Sequence, residues 1–244
     1  MQKLFGIHPV LEAIRAGKKI EKVLLKQGME GPAFRELITC IGENDIPYQY
    51  VPVEKLNREV RGAHQGVVAL LAEIDYVDIE TLVNNALATS EEPVLVILDG
   101  VSDVRNLGAI ARTLECCGGK GIIVPAKGGA AVNAEAVKAS AGALLRIDTS
   151  KVPNLRLAAY LLKQNGFKLV AATEKAAGSL YETDLRGPLA IVMGSEGKGI
   201  SDSLLSLCDE RCAIPMVGEI SSLNVSVATA IVLYEAFRQK TCSK

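Results

Sequence analysis

An α/β protein with a mostly parallel sheet is predicted by three observations. Strand-like and helix-like segments alternate along the whole chain. Several of the strand-like segments, "PVLVILDG" and "PLAIVMG" among them, are continuous apolar runs of the kind buried under helices on both faces. Polar segments follow these runs at the carboxyl ends of the strands, where open parallel sheets bind ligands.

In order, "PVLEAIRAG" reads as a helix closed by Gly17, "EKVLLKQ" as a strand and "PAFRELITCIGEND" as a second helix. "YQYVPV" is a short strand, "VEKLNREV" a helix and "GVVALLAEI" a strand. These form a small α/β domain over residues 1–75, large enough to hold a core of its own. The helical but polar stretch "YVDIETLVNNALATS" falls in a linker, residues 76–90. The second domain, 91–244, has strands at "PVLVILDG", "GIIVP", "FKLVAAT", "PLAIVMG" and, shorter, "CAIPM". Its helices are "NLGAIARTLECCG", "NAEAVKASAGAL", "NLRLAAYLLKQNG", "SDSLLSLC" and "NVSVATAIVLYEAFRQK". The last is apolar nearly all round, which predicts burial on every side.

Composition narrows the function. The chain has 244 residues, 49% of them hydrophobic, and no apolar run reaches the ~20 residues of a membrane span. With no signal-peptide pattern at the N-terminus, a cytoplasmic protein is expected. Six cysteines without a C-x-x-C pair and only two histidines argue against a metal centre; the thiols are expected to pack as small apolar groups. The net charge of −1 gives no global nucleic-acid footprint, and 4% aromatic residues cannot stack many bases. Basic clusters exist locally: Arg15, Lys18, Lys19, Lys22 and Lys26, then Lys55, Arg58 and Arg61.

Three loops carry the chemistry. "GSEGKGIS" has the glycines and lysine of a phosphate cradle but neither the P-loop spacing nor the dinucleotide one. Glu196 inside it is electrostatically wrong for an anion, so the ligand is neutral, cationic or hydroxylated. In "DGVSDVRNLGAIARTLECCG", Asn106 reads as the helix start, and Gly108 leaves space for Arg112 to lean back toward it. An exposed Arg112 with Asn106 as an ordinary cap explains the same spacing equally well. In "IPMVGEISSLNVSVATAIVLYEAF", Ser221, Ser222 and Asn224 are more polar groups than one helix cap needs.

In this order the segments "NLGAIART", "VMGSEGKGI" and "IPMVGEISSLNVSVATAI" resemble the three motifs of the SpoU (TrmH) family of RNA ribose 2′-O-methyltransferases. "FGIHPVLEAI" and "HQGVVAL" are similar to the substrate-binding domain, related to ribosomal protein L30e, of the RlmB branch acting on 23S rRNA. The resemblance implies a SPOUT catalytic domain with a C-terminal trefoil knot, S-adenosylmethionine as cofactor, a homodimer and no metal. It places Asn106, Arg112, Glu196, Ser222 and Asn224 in catalysis, and Thr173, Glu174, Gly194, Gly199, Ile214, Met216 and Leu223 around the cofactor. The glycines of "GSEGKG" would then let backbone approach the cofactor. Asn106, Ser222 and Asn224 would hold the ribose, and Glu196 would orient the site directly or through an arginine. Arg15, Lys18, Lys19 and Arg105 are candidates for RNA contact. An arginine is a poor base, so Arg112 is better suited to stabilise a developing alkoxide than to remove a proton. Val104 and Arg105 stand where the family often has proline and a small or polar residue. A tRNA-directed enzyme of the same family and a non-catalytic RNA-binding relative are the alternatives; the second should lose the Asn, Arg and Glu positions, and all are present.

Overall fold

The computed structural model describes residues 3–71 and 74–241. The chain divides into two compact units, Met1–Asp75 with the short stretch Val132–Ala134, and the remainder from Tyr76 to Lys244.

The first unit contains β1 (Lys3–Phe5), α1 (Ile7–Arg15), β2 (Ile20–Lys26), α2 (Pro32–Glu43), β3 (Tyr48–Val51), α3 (Val53–Glu59) and β4 (Val67–Leu71). The sheet order is β1-β4-β2-β3; β2 and β3 are parallel and the other pairs antiparallel. The strand alternation sends Val23 and Leu25 to one face, where they pack with Leu11 and Ile14 of α1 and Leu37 and Ile41 of α2. Leu24 points to the other face and packs with Leu56 of α3. The short strand β1 is not expected from the sequence, because its three residues carry too little pattern to read.

The second unit runs α4 (Ile79–Thr89), β5 (Val94–Asp99), α5 (Val104–Cys116), β6 (Gly121–Pro125), α6 (Ala134–Ala139), β7 (Asp148–Val152), α7 (Leu155–Gln164), β8 (Lys168–Ala172), β9 (Leu189–Gly194), α8 (Asp202–Leu205), β10 (Glu210–Cys212) and α9 (Val225–Thr241). Short 3₁₀ turns occupy Ala143–Leu145 and Leu180–Glu182. Six strands in the order β10-β8-β9-β5-β6-β7 form a wholly parallel sheet. The continuous apolar runs are its centre: Leu95, Val96 and Ile97 of β5 and Ala190, Ile191 and Val192 of β9 are fully buried.

Four expectations are corrected. Residues 76–90 are no linker: Asp78 caps α4 by accepting from the Thr81 N–H at 2.8 Å, and Leu82, Val83 and Ala86 sit in the second unit's core. β7, "DTSKV", escapes the sequence pattern because an edge strand can be polar on both sides of its alternation. β10 lies ahead of "CAIPM" and shares only Cys212 with it. Finally, α9 is not buried all round: Val227, Tyr234 and Phe237 are 49%, 54% and 42% exposed along one side. Its inner side buries Glu235, whose carboxyl is held below its ordinary range by the Arg238 guanidinium.

A chain truncated to begin at Tyr76 should therefore unfold in one cooperative transition, whereas one beginning at Glu91 loses α4. Leu82 and Val83 alone contribute about 3–6 kcal/mol of burial. Urea denaturation of the two truncated chains checks this, and equal midpoints would show that α4 belongs to no core.

Candidate active site

The sheet order reverses at β9 and β5, which lie side by side in the centre with Asp99 opposite Gly194. Loops leaving the carboxyl ends of neighbouring strands there diverge and leave a crevice. The loop after β9 is a closed turn: Gly199 N–H donates to Ser195 O at 2.9 Å, and Ser195 N–H returns the bond to Gly199 O at 3.2 Å. Asp99 ties it to β5, its Oδ2 accepting from Ser201 N–H at 2.8 Å. Two of the loop's glycines have their own explanations. Gly199 has φ +69°, and a Cβ on Gly194 would fall 2.1 Å from the carbonyl carbon of Gly199. The absence of a Cβ at Gly194 thus lets the loop close on itself, and both glycines remain on the wall of the adjoining cavity.

The turn presents Glu196, and two asparagines from distant parts of the chain hold it. Asn224 Nδ2 donates to Glu196 Oε1 at 2.6 Å and to Asn106 Oδ1 at 3.1 Å. Asn106 Nδ2 donates to the same Glu196 Oε1 at 3.2 Å. Asn224 Oδ1 accepts from Ser226 N–H at 3.0 Å and so caps α9. The cap fixes which end of the Asn224 amide is oxygen, and that choice propagates to Asn106. Both N–H groups of Asn224 are consumed within the protein, so it has no donor left for a ribose. Asn106 keeps one N–H, and Glu196 keeps Oε2. Glu196 holds no arginine; its partners are the two amides.

Asp103, not Asn106, starts α5, accepting from the N–H groups of Arg105 at 2.7 Å and Asn106 at 3.2 Å. An aspartate ahead of a helical stretch is a readable cap, so this correction was within reach of the sequence. Asn106 sits within the first turn, with its amide free for the network. Gly108 is also explained differently: a Cβ there would lie 2.6 Å from Ala139 Cβ and 2.7 Å from Ala136 O. It lets α5 close on α6 and does not make room for Arg112. Arg112 is exposed, lies outside the cavity that adjoins Glu196 and forms no hydrogen bond or ion pair among the described residues. Six residues of helix put it roughly 120° around the axis from Asn106.

That cavity has a volume of about 390 Å³. Thr173, Glu174, Gly194, Gly199, Ile214, Met216, Ser222 and Leu223, all singled out from the sequence, line it. Met193, Ser221, Val225 and Ala228 also line it and were not foreseen as cofactor contacts, since nothing in an apolar strand end or a helix interior marks such a residue. Its walls carry two carboxylates, Glu174 and Glu196, and no lysine or arginine among the described residues. Two carboxylates with no cation among the described lining residues suit a positively charged ligand better than a phosphate-bearing one.

The other candidates fall elsewhere. Arg105 Nε pairs with Glu135 at 3.0 Å, Arg15 pairs with Glu12 and Glu36, and Lys19 pairs with Asp75 at 3.1 Å, while Lys18 is exposed. Among the described residues no group of three His, Cys, Asp or Glu could hold a metal ion, and no helix is long and apolar enough to cross a membrane. Burial pushes the Cys117, Cys208 and Cys212 thiols up to about 11.

Residues 93–234 match the model of the SpoU rRNA methylase family. The chain belongs to the SpoU family. Residues 3–77 match a second description, RNA 2′-O ribose methyltransferase substrate binding. A Staphylococcus saprophyticus protein named as a TrmH family tRNA/rRNA methyltransferase is 36% identical over 237 residues, covering 97% of this chain and 95% of its own. The TrmH/SpoU tRNA modifying enzyme of A. aeolicus is 32% identical, covering 66% of this chain and 82% of its own, with a TM-score of 0.57. The fold is also that of the SpoU methyltransferase AviRb from Streptomyces viridochromogenes, crystallised with AdoMet: TM-score 0.63, 24% identity, 99% of this chain and 91% of that one. Asn106, Glu196 and Asn224 all lie within the residues that match the SpoU family.

Serine caps a helix as well as asparagine does but brings no amide N–H. Asn224→Ser should therefore leave thermal stability nearly unchanged while freeing Glu196 and lowering the rate of methyl transfer at least ~10-fold. A melting curve and a single-turnover assay on one preparation measure both. A loss of stability matching the loss of rate would assign Asn224 a purely structural role.

Proposed function

We propose that the chain is an S-adenosylmethionine-dependent ribose 2′-O-methyltransferase acting on a guanosine of 23S rRNA, in the RlmB branch, as a homodimer with a knotted C-terminal segment. The observation that carries the reading is the carboxylate–amide network on the rim of a cavity whose charged lining residues, among those described, are both carboxylates. That cavity fits the cofactor in kind: its apolar walls, Met193, Ile214 and Leu223, suit adenine, and Glu174 and Glu196 suit a cationic ligand. S-adenosylmethionine, when bound, supplies an electrophilic methyl carbon on a positively charged sulfur. AviRb, which shares the fold, was crystallised with it.

The chain's own residues act mainly by positioning, which can lower a barrier by several kcal/mol when the reacting atoms are aligned. Asn224 locks Glu196 and Asn106 against each other. The free N–H of Asn106 and the hydroxyl of Ser222 hold the ribose. Glu196 Oε2, which takes neither amide bond, is the acceptor left for the substrate. Arg112, exposed and without a protein partner among the described residues, lies outside this cavity; the family motif, not the cavity's geometry, assigns it to the alkoxide that develops at the 2′-oxygen.

The first unit matches an RNA 2′-O ribose methyltransferase substrate-binding description over residues 3–77, which supports an RNA substrate; the choice of rRNA over tRNA follows the resemblance of this unit to the RlmB branch. The exposed Val227, Tyr234 and Phe237 of α9 support a homodimer, because an apolar stripe on a helix is stable when a second surface covers it. The knot is supported by the return of the chain from the sheet edge at β10 to the centre, where Asn224 meets Asn106.

Transfer of labelled methyl to 23S rRNA and tRNA transcripts, followed by mapping of the modified nucleotide, tests the reading; methylation of tRNA alone overturns the rRNA assignment. Arg112→Ala should reduce methyl transfer about 10²–10³-fold, the effect of removing one preorganised oxyanion partner, with cofactor affinity by calorimetry within a few-fold. Arg112→Lys should recover only part of the rate, since an ammonium lacks the planar fork. Near-normal turnover of Arg112→Ala, or abolished cofactor binding in a folded variant, would remove Arg112 from the mechanism.

A further inference from the structure

We infer that the first unit holds RNA through Arg58, Arg61 and Lys26, with the Phe5 ring as a base-stacking surface beside them, and not through the paired Arg15 and Lys19. The inference rests on the RNA-methyltransferase reading above and names where the substrate is gripped. It begins from pairing. Residues 1–75 carry ten Lys and Arg and ten Asp and Glu, so the unit as a whole has no excess of positive charge. Availability, not number, then decides which cations can meet phosphates. Arg15 is taken by Glu12 and Glu36, Lys19 by Asp75, Lys3 by Glu59 at 2.8 Å, and Lys22 donates to Gln49 at 2.9 Å. Lys18, Lys26, Arg35, Lys55, Arg58 and Arg61 are exposed and have no side-chain partner among the described residues; of these, Arg58 and Arg61 flank the end of α3 and Lys26 pairs through its backbone with Gly66 just beyond it. The acidic residues beside them do not cancel them: Glu59 is neutralised by Lys3, and Glu54, one turn before Arg58, makes no ion pair with it.

The three cations belong to one built surface. His64 is buried and uses both ring nitrogens, Nε2 with Asn57 Oδ1 at 2.9 Å and Nδ1 accepting from Gly66 N–H at 2.9 Å. This pins the segment after α3 to the helix that carries Arg58. Lys26 N–H donates to Gly66 O at 2.8 Å, and a Cβ on Gly66 would lie 3.1 Å from Lys26 Cβ, so the lysine stem rises beside that segment. Phe5 is 38% exposed, and a Cβ on Gly62 would meet its ring at 3.1 Å. The ring thus lies flush against the glycine that follows Arg61. Exposed arginines in the chain next to an exposed ring at the end of β1 suit unpaired RNA, whose phosphates meet the cations while a base stacks on the aromatic face. A protein partner would be expected to bring carboxylates and would not prefer an unpaired base.

The test is fluorescence anisotropy with the full chain and a labelled 23S rRNA transcript, at several salt concentrations, alongside cofactor titration. Arg58→Gln with Arg61→Gln should weaken RNA binding about 10- to 100-fold and reduce the salt slope by about 0.7 for each phosphate no longer neutralised, with cofactor affinity unchanged. Phe5→Ala should weaken binding to a single-stranded transcript more than to a duplex. Arg15→Gln with Lys19→Gln should stay within about 2-fold of the parent, since paired surface cations release few counterions. If the parent chain binds RNA and the Arg58/Arg61 variant binds it equally well with the same salt slope, the inference fails. If the parent neither binds nor methylates RNA, the reading beneath it fails instead. Circular dichroism of Arg58→Gln with Arg61→Gln separates an altered surface from a misfolded chain. Arg58→Lys with Arg61→Lys should keep most of the affinity, because charge carries the binding to phosphate.

Discussion

The hydrogen bond from Asn224 to Glu196, 2.6 Å long, is the contact on which the site depends. It is charge-assisted, and such bonds are roughly twice as strong as neutral ones. It joins a residue at the start of the last helix to one in the turn after β9. Asn106, at the start of α5, completes the triangle. The three residues come together only because β5 and β9 are neighbours and both loops leave the same end of the sheet. Asn224 serves two functions in one amide. Its oxygen caps α9 and its nitrogen orients the carboxylate, so one side chain anchors both the helix and the site.

Backbone constraints prepare this arrangement. The turn from Ser195 to Gly199 closes on itself by two reciprocal hydrogen bonds, and the absence of a Cβ at Gly194 lets that happen. Asp99 holds the far side of the turn and Asp103 starts α5 one residue ahead of Val104. Gly108 brings α5 down onto α6, which fixes the height at which Asn106 meets the turn. None of these residues needs to touch a ligand. They make the geometry rigid, which a reaction limited by in-line alignment requires.

Charge is distributed by the same economy of partners. The cavity has carboxylates and, among the described residues, no cation on its walls, which suits a positively charged ligand. Elsewhere many cations are paired at the surface, where such pairs add little to stability. Their consequence is to silence some basic residues and leave others, Arg58, Arg61 and Arg112 among them, open to solvent.

Much of this was legible in the sequence. The apolar runs of β5 and β9 had no other reading than buried parallel strands, and the three polar loops announced the end of the sheet where a ligand belongs. Motif order was enough to identify the family, because residue type and spacing survive without coordinates. Local pattern failed where the determining partner was distant. The polar edge strand β7 and the three-residue β1 carry too little hydrophobic signal. The helix at 79–89 looked like a linker because only its contacts reveal the core it enters. The role of Gly108 depends on residues about thirty positions away, and the full use of the Asn224 amide depends on Asn106 and Glu196. Sequence by itself determined the strongly patterned elements and which chemistry the loops can do, since periodicity and side-chain type are local properties. Only the tertiary structure decided which polar groups are consumed and which remain free, because a hydrogen bond or ion pair is settled by the partner that folding delivers.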